Sequence, residues 1–247
     1  MTPDLAKTRL FYGHYPLHDA RERPLHIIVA GAGPSGIALA IDLMNIKNVT
    51  FQIFEKNSDV GGTWLENRYP GVACDVASHP INTHSNRIPT GVITEEIGEY
   101  FKNVARGYAV YPDVQFNSRV NNTRWDAQNA KWTIGVVNTM SGEEFESSGD
   151  LFINAGGISN NWEWPDIEGL TTFGGLRICT AAWDLAIPLK GKKVGIIGSG
   201  ATSVQVVPAS SRWLRSLRSS SGRQHMSYQL WGLVWNLPSS MNDVGRC

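Results

Sequence analysis

Short apolar runs that end in glycine recur along the chain, and at two places a segment with helical spacing follows. The first run, LHIIVAG at residues 25–31, is typical of a parallel strand that is buried on both faces. Pro34 and Ser35 then begin a predicted helix with an apolar stripe, and TFQIFE at residues 50–55 predicts a second strand. Together, these three elements predict a βαβ unit.

Further helical and strand patterns follow along the chain. TEEIGEYFKNVARGY at residues 94–108 has its apolar positions on one helical face, and KWTIGVVN followed by the turn MSGEE predicts a hairpin in a small β excursion. DLFINAGG at residues 150–157 is again a buried-strand pattern, and KKVGIIGSGATSVQVV at residues 192–207 repeats strand, glycine turn and helix start. The sequence therefore predicts an α/β fold, with a Rossmann-like domain followed by an incomplete second Rossmann-like domain.

We divide the chain where this pattern begins, weakens and ends. Residues 1–24 are a predicted N-terminal extension, 25–165 the first domain, and 166–209 a connector with the start of the second domain. Residues 210–247 are rich in Arg, Ser and Trp without a helical or strand period, so we expect an irregular tail of disordered character. Such an abrupt loss of period is what a shifted reading frame or a retained intron would produce, and it suggests a truncated protein.

Composition narrows the classes of partner. Lys plus Arg and Asp plus Glu both number 22, so the zero net charge provides no basic field for nucleic acid or an anionic membrane surface. The amino terminus lacks the apolar stretch of a secretory signal, and the apolar runs are too short to span a membrane. We expect reduced thiols at Cys74, Cys179 and Cys247, no metal site and a cytoplasmic location.

The first candidate site is the turn Gly31-Ala-Gly33-Pro-Ser35-Gly36 between a predicted strand and a predicted helix. Gly31 permits the tight turn, Gly33 lets the backbone approach a pyrophosphate, and Gly36 lets helix and strand pack closely. The helix amino terminus then favours the phosphates. Glu55 ends the next strand, where a carboxylate can accept hydrogen bonds from ribose hydroxyls. Strand, turn, helix, strand and acid occur in the order that predicts dinucleotide binding.

A second motif follows, Gly61-Gly62-Thr63-Trp64, and then a Tyr-Pro-Gly element at residues 69–75 that ends in Cys74 and Asp75. With the preceding turn, this sequence resembles the flavin-containing monooxygenases of the Baeyer–Villiger type, particularly fungal ones. The resemblance assigns FAD binding to residues 25–165 and NADP binding to the second domain. It implies that Asp75 is a catalytic residue near the isoalloxazine and nicotinamide, where it helps to orient an active-site arginine that this sequence does not contain.

The resemblance also implies further contacts with the flavin nucleotide. Gly62, Thr63 and Trp64 are expected to line the flavin. Val120 matches a position whose backbone meets the adenine, and Ile81 stands where the family often has an aromatic residue near the flavin.

A third motif, Phe173-x-Gly175-x-x-x-Cys179-x-x-x-Trp183-Asp184, has the spacing of the family signature. The signature histidine, which the resemblance implies couples the nicotinamide domain to flavin chemistry, is replaced by Cys179. A thiol is smaller than an imidazole and a weak donor, so Cys179 cannot reproduce the function of a histidine.

The fourth motif is the turn that contains Gly198, Gly200, Thr202 and Ser203, with Ser203 at the place of the last glycine. The resemblance implies that this turn binds the NADPH pyrophosphate. A complete site also needs a second strand about twenty residues further on. Residues 210–224 give no strand pattern, and Arg215 and Arg218 are expected to be solvated, so the sequence indicates only part of an NADPH site.

The function that the resemblance implies is FAD-dependent, NADPH-linked oxygenation of a ketone to an ester, in which reduced flavin and oxygen form a peroxide. A fungal secondary-metabolite ketone fits the family, and we expect little activity from this chain alone. Two alternatives stay open: a non-catalytic flavin-binding remnant or partner subunit, and an N- or S-oxidising monooxygenase. A disulfide reductase is disfavoured because no CxxxxC motif follows the first βαβ unit. The substrate and the oligomeric state stay open.

Overall fold

The computed structural model describes residues 23–74, 94–158, 161–211, 216–220 and 233–236, and the fold is given for these residues. They form a four-stranded parallel sheet, a three-stranded antiparallel sheet and a second four-stranded sheet of mixed direction. The predicted α/β class, with a parallel sheet and a small β excursion, is confirmed.

The parallel sheet has the strand order β3-β2-β1-β7. Its strands are β1 (Leu25–Ala30), β2 (Val49–Phe54), β3 (Val114–Gln115) and β7 (Leu151–Asn154). The central strand β1 is the most apolar, since it is covered on both faces. Helix α1 (Pro34–Leu43) connects β1 to β2, which confirms the predicted βαβ unit.

Helices cover one face of the parallel sheet. Helix α2 (Thr63–Glu66) is short, and helix α3 (Thr94–Gly107) presents Ile97 and Phe101 to the core, as its apolar periodicity predicts. Burial of this stripe stabilises the packing, because each fully buried apolar side chain contributes roughly 1.5–3 kcal/mol. The core of the first domain therefore lies between α1, α3 and the sheet.

The antiparallel sheet covers the opposite face. It consists of β4 (Ser118–Asp126), β5 (Lys131–Asn138) and β6 (Glu144–Gly149), in the order β4-β5-β6. The hairpin predicted around the turn at residues 140–144 joins β5 to β6. Four buried side chains connect the two sheets: Ile28, Phe54, Ile134 and Val136. This small sheet therefore fixes β4 beside the ends of β1 and β2.

The second four-stranded sheet has the order β10-β9-β11-β8. Its elements are β8 (Arg177–Cys179), β9 (Lys193–Ile197), helix α4 (Ala201–Ser211), β10 (Ser216–Ser220) and β11 (Leu233–Asn236). Strand β10 is parallel to β9, whereas β11 is antiparallel to both of its neighbours, β9 and β8. Because β9, α4 and β10 follow one another, they complete a second βαβ unit.

This result corrects two expectations. Residues 210–247 are not irregular throughout, because β10 and β11 lie within them, and the strand that the sequence seemed to lack after the second glycine turn is β10. The Ser- and Arg-rich composition of β10 has low strand propensity, but pairing with β9 satisfies its backbone groups and overrides that propensity. Arg215 lies outside the described residues, and Arg218 lies on β10.

None of the helices in the described part of the chain has both the length and the apolar character needed to cross a membrane.

Candidate cofactor site

A cavity of about 980 Å³ opens at the carboxyl edge of the parallel sheet. Gly31 follows β1 there, Glu55 follows β2, and Ala155 follows β7, and all three line the cavity. Ligands in open α/β sheets bind at this edge, where the loops after the strands converge. The volume lies within the range of about 300–1,000 Å³ that is usual for cofactor sites.

The glycine turn forms one wall of this cavity, and two of its glycines are required by packing. Gly31 has φ +99°, and a Cβ atom built on it would lie 2.8 Å from the carbonyl oxygen of Ala155. On Gly36 a Cβ would lie 2.0 Å from the carbonyl oxygen of Gly31, so helix α1 packs directly on the turn. Neither position can accept a side chain without a shift of the backbone.

Gly33 is different, because the protein itself leaves room for a side chain there. Its modest φ of −74° suits any residue, and its Cβ would be in ordinary contact, 3.5 Å from the Cα of Gly62. Gly33 is the N-cap of α1 and lines the cavity together with Pro34 and Ser35. Its lack of a side chain therefore keeps open the space in front of the helix amino terminus, which favours an anion.

Glu55 lies at the bottom of the turn and is 3% exposed. One carboxylate oxygen accepts the backbone N–H of Ala32 at 2.7 Å, and the other accepts the backbone and side-chain N–H groups of Asn57, both at 2.9 Å. A carboxylate offers about four acceptor positions, so roughly one is left for a hydroxyl of a bound sugar. Glu55 thus holds the turn in place and still faces the cavity.

The second motif contributes two of its three expected residues to the cavity. Gly62, with φ +56°, and Thr63 both line it, and Gly62 approaches Gly33 so closely that a Cβ would lie 3.0 Å from the Cα of Gly33. Trp64 is half-buried and packs against the core of the first domain instead, with its carbonyl oxygen near Gly98 of α3. The motif therefore closes the cavity over the glycine turn.

Val120 lines the far end of the cavity from strand β4. The pairing of β4 with β5 shifts register between Val120 and Asn122, and this bulge accommodates Asn121. Bulges re-aim side chains beside binding sites. Arg119, Asn121 and Asn122 also line the cavity, and this was not predicted from the sequence. The sequence pattern of β4 does not indicate a binding site, because a polar run on an antiparallel strand is equally typical of a solvated face.

Another missed group follows β7. The cavity is lined by Asn154, Ala155, Gly156 and Gly157, and Gly157 has φ +77°. The glycine pair directly after a predicted buried strand was an available signal, because in a parallel sheet that end lies beside the end of β1. Trp162, near the end of the first domain, also lines the cavity.

The second glycine turn lies apart from this cavity, after β9. Gly198 has φ +123°, and Thr202 and Ser203 are buried at the start of α4. The hydroxyl and the backbone N–H of Ser203 both donate to the carbonyl oxygen of Gly200, at 3.1 and 3.0 Å. Ser203 thus occupies the third glycine position with its polar atoms satisfied inside the turn.

The diverged signature reaches the first cavity with one residue. Cys179 is buried, and burial raises the pKa of its thiol, although the backbone amides of Ala181 and Ala182 oppose this effect. Ala181 lines the cavity, whereas Trp183 is buried in the core of the second domain. Asp75 and Ile81 lie outside the described residues.

The residues present suit a flavin nucleotide. The helix amino terminus behind Gly33 can hold a diphosphate, Glu55 can accept a ribose hydroxyl, and β4 can line an aromatic base. Gly33 lines the cavity as the N-cap of α1, so a side chain there would compete with a diphosphate for the space in front of the helix amino terminus. Lys56 also faces the cavity, where it forms an ion pair with Glu66 at 3.0 Å.

Comparison with known proteins agrees with this geometry. A family described as NAD(P)-binding Rossmann-like domain matches residues 29–90. The FAD-binding monooxygenase tazF of Aspergillus terreus is 35% identical over 194 residues, which cover 76% of this chain and 34% of the relative. The Baeyer–Villiger monooxygenase of Streptomyces coelicolor is 33% identical over 196 residues, which cover 78% of this chain and 37% of the relative.

The same similarity holds for the fold. The crystal structure of cyclohexanone monooxygenase from Rhodococcus sp. Phi1 bound to NADP+ superposes with a TM-score of 0.69 at 30% identity. The superposition covers 80% of this chain and 38% of that protein. By sequence and by fold, the chain is therefore similar to FAD-binding monooxygenases that include the Baeyer–Villiger enzymes, and it spans a little over a third of the length of these relatives.

Proposed function

We propose that the cavity at Gly31–Gly36 binds FAD and that the chain is part of an FAD-dependent, NADPH-linked monooxygenase of the Baeyer–Villiger type. The observation that carries the proposal is the glycine turn held by Glu55 at the mouth of an open cavity of about 980 Å³. Bound flavin would supply the redox and oxygen chemistry, while the chain binds and orients it. The substrate class is a small organic ketone, converted to an ester.

Similarity to relatives supports the reaction type. The relatives include proteins named as Baeyer–Villiger monooxygenase and cyclohexanone monooxygenase. The Tyr-Pro-Gly element and the spacing of the signature also resemble that family. The resemblance to fungal FAD-binding monooxygenases leads us to propose a role in secondary metabolism as well. In this proposal Asp75, which follows Cys74 in the sequence, is the catalytic residue.

We also assign NADP(H) to the second glycine turn. The support is the βαβ unit formed by β9, α4 and β10, because a dinucleotide fold places its pyrophosphate between the first strand and the helix of such a unit. That turn would be formed by Gly198, Gly200, Thr202 and Ser203.

We also propose a cytoplasmic location for the protein. The free thiol of Cys179 fits this location, because cytoplasmic thiols are kept reduced.

A second function is favoured by one observation. Cys179 is buried where the family signature has a histidine, so a coupling step that needs an imidazole is lost. A flavin-binding protein without oxygenase activity, acting as a remnant or partner subunit, would satisfy this observation. Both functions require the same FAD site.

The test is to purify the protein and record its visible absorption spectrum before and after incubation with excess FAD. We expect the visible absorption bands of a bound flavin, corresponding to about one FAD per chain, after removal of free FAD. Folded protein that stays colourless would overturn the proposal.

A second experiment separates the two functions. NADPH oxidation is measured with a panel of ketones, and the products are analysed by mass spectrometry. Ester formation identifies the oxygenase, and its absence identifies the non-catalytic flavoprotein.

A further inference from the structure

The Tyr-Pro-Gly loop of the first domain is built into the core of the second. Tyr69 is 8% exposed and belongs to the same buried cluster as Val194, Val206 and Trp183, which are residues of the second domain. Val72 packs against this cluster as well. One loop therefore carries apolar contacts from the FAD-binding half into the half that contains the second glycine turn.

Gln205, on helix α4, makes the polar part of this contact. Its side-chain oxygen accepts the hydroxyl of Tyr69 at 3.0 Å and the backbone N–H of Ala73 at 3.3 Å, and its amide nitrogen donates to the carbonyl oxygen of Ala73 at 3.0 Å. The amide thus pairs with both backbone groups of one residue, as a neighbouring strand would. Such a two-sided contact fixes both position and orientation of the loop.

Gly71 allows the loop to lie directly on α4. It has φ +79°, and a Cβ there would lie 2.7 Å from the Cβ of Ala209 and 2.7 Å from the carbonyl oxygen of Gln205. The loop and the helix backbone are therefore in contact over a full helical turn. We call the contact formed by Tyr69, Gly71, Ala73 and Gln205 the loop clamp.

The loop clamp lies between the two nucleotide turns. Towards the amino terminus, the loop continues from α2, whose residues Thr63 and Glu66 line the FAD cavity. On the other side, Gln205 is one helical turn after the start of α4 at Ala201, directly behind the turn with Gly198 and Gly200. Any shift of α4 when a dinucleotide binds at its amino terminus would be passed to the loop through these bonds.

We propose that Gln205 is a positioning residue that couples dinucleotide binding at the second glycine turn to FAD binding in the first cavity. This inference rests on the proposed function, because it needs both nucleotides to bind. Coupling between two sites is reciprocal, so NADP+ should change the affinity for FAD by the same factor as FAD changes the affinity for NADP+. Gln205 itself is not among the residues that line the first cavity.

The experiment uses the full chain and measures FAD affinity by flavin fluorescence, with and without saturating NADP+. We expect NADP+ to tighten FAD binding by about fivefold or more, within the range usual for coupled sites. In Gln205→Leu, which keeps the volume but removes all three bonds, this ratio should fall to near one. Gln205→Glu keeps the acceptor but cannot donate to Ala73, and should give an intermediate ratio. The matched control is Gln128→Leu, at an exposed turn.

Hydrogen exchange of the peptide that contains residues 69–74 gives a second readout. Exchange should rise in Gln205→Leu and stay unchanged in Gln128→Leu, because only the former removes the acceptor of the Ala73 amide. The inference would be overturned if NADP+ changed the FAD affinity of Gln205→Leu by the same factor as that of the unchanged chain. It would also be overturned if NADP+ did not change the FAD affinity of the unchanged chain. These results would leave the FAD site intact, whereas loss of FAD binding in the unchanged chain would overturn the proposed function and the coupling together.

Discussion

The carboxylate of Glu55 accepts the backbone N–H of Ala32 at 2.7 Å, so the acid expected to hold a ribose also holds the glycine turn. Ala32 lies between the first two glycines of the turn and is fully buried. Removal of the acceptor from this buried N–H would cost about 1–3 kcal/mol. The binding site and the fold therefore share one side chain.

Glu55→Gln is expected to weaken both stability and FAD binding. The new amide has one acceptor atom where the carboxylate had two, so one of the N–H groups of Ala32 and Asn57 faces another donor. We expect a loss of about 1–3 kcal/mol in the free energy of unfolding. Urea denaturation and FAD titration measure the two effects. Glu144→Gln, at an exposed site in β6, serves as the control; equal stability of the two variants would contradict the shared role.

Gly33→Ala separates binding from folding. Because its Cβ fits in ordinary contact and its φ is compatible with alanine, the free energy of unfolding should change by less than about 1 kcal/mol. The added methyl group occupies the space in front of the α1 amino terminus, so FAD affinity should fall on the order of tenfold, or about 1.4 kcal/mol. Fluorescence titration measures this change. Gly107→Ala, whose Cβ meets no atom within 4 Å, is the control.

In contrast to Gly33→Ala, Gly36→Ala is expected to lower the stability of the protein. Its Cβ would lie 2.0 Å from the carbonyl oxygen of Gly31, so helix and turn must separate. We expect a loss of about 3 kcal/mol, at the upper end of the usual range for overpacking. Urea denaturation in the absence of FAD measures it. A variant as stable as Gly107→Ala would show that α1 can move away from the turn without cost.

Asp150 makes stability depend on pH in the acid range. The backbone N–H of His26 and the ammonium group of Lys131, each at 2.9 Å, and also the guanidinium of Arg23, hold the pKa of the Asp150 carboxyl far below its usual range. A lowered folded-state pKa gives stability that is present above the unfolded value of about 3.9 and is lost as pH falls towards the folded value.

We therefore expect Asp150→Asn to lose about 1–3 kcal/mol at pH 7, because the buried oxygen loses its charge-assisted bonds. The difference from the unchanged chain should shrink below about pH 4, where the carboxylate of the unchanged chain begins to lose its advantage. Urea denaturation at pH 7, 5 and 3 measures this trend, with the exposed Asp166→Asn as control. A difference that stays constant across these pH values would exclude the ion pairs as its source.

Cys179→His tests whether the signature histidine can be restored by one substitution. Cys179 is 3% exposed and lies next to the buried Thr180, so the larger imidazole has no free volume. Overpacking should cost about 1–3 kcal/mol, whereas Cys179→Ser, of similar size and within reach of the amides of Ala181 and Ala182, should cost less. Thermal unfolding of both variants measures this. A stable Cys179→His variant would show that the site can take the family residue.

Much of the fold was determined by local sequence. The buried run at β1 and the glycine turn with Pro34 predicted the first βαβ unit, because apolar period and turn chemistry act over a few neighbouring residues. Helix α3 and the hairpin between β5 and β6 followed from period and turn residues in the same way. Gly31, Gly33 and Ser35, which this turn chemistry selected, line the observed cavity.

Only the tertiary structure decided the contacts between distant segments. The strand character of β10 depends on its neighbour β9, and its own Ser and Arg residues do not carry that information. Asn154 and Asn122 come to the same cavity as Gly31 through the pairing of separate strands, and the bonds from Gln205 to Tyr69 join residues more than a hundred positions apart. Side-chain periodicity specifies which face of an element is buried, whereas the partner of that face is selected by the packing of the whole chain.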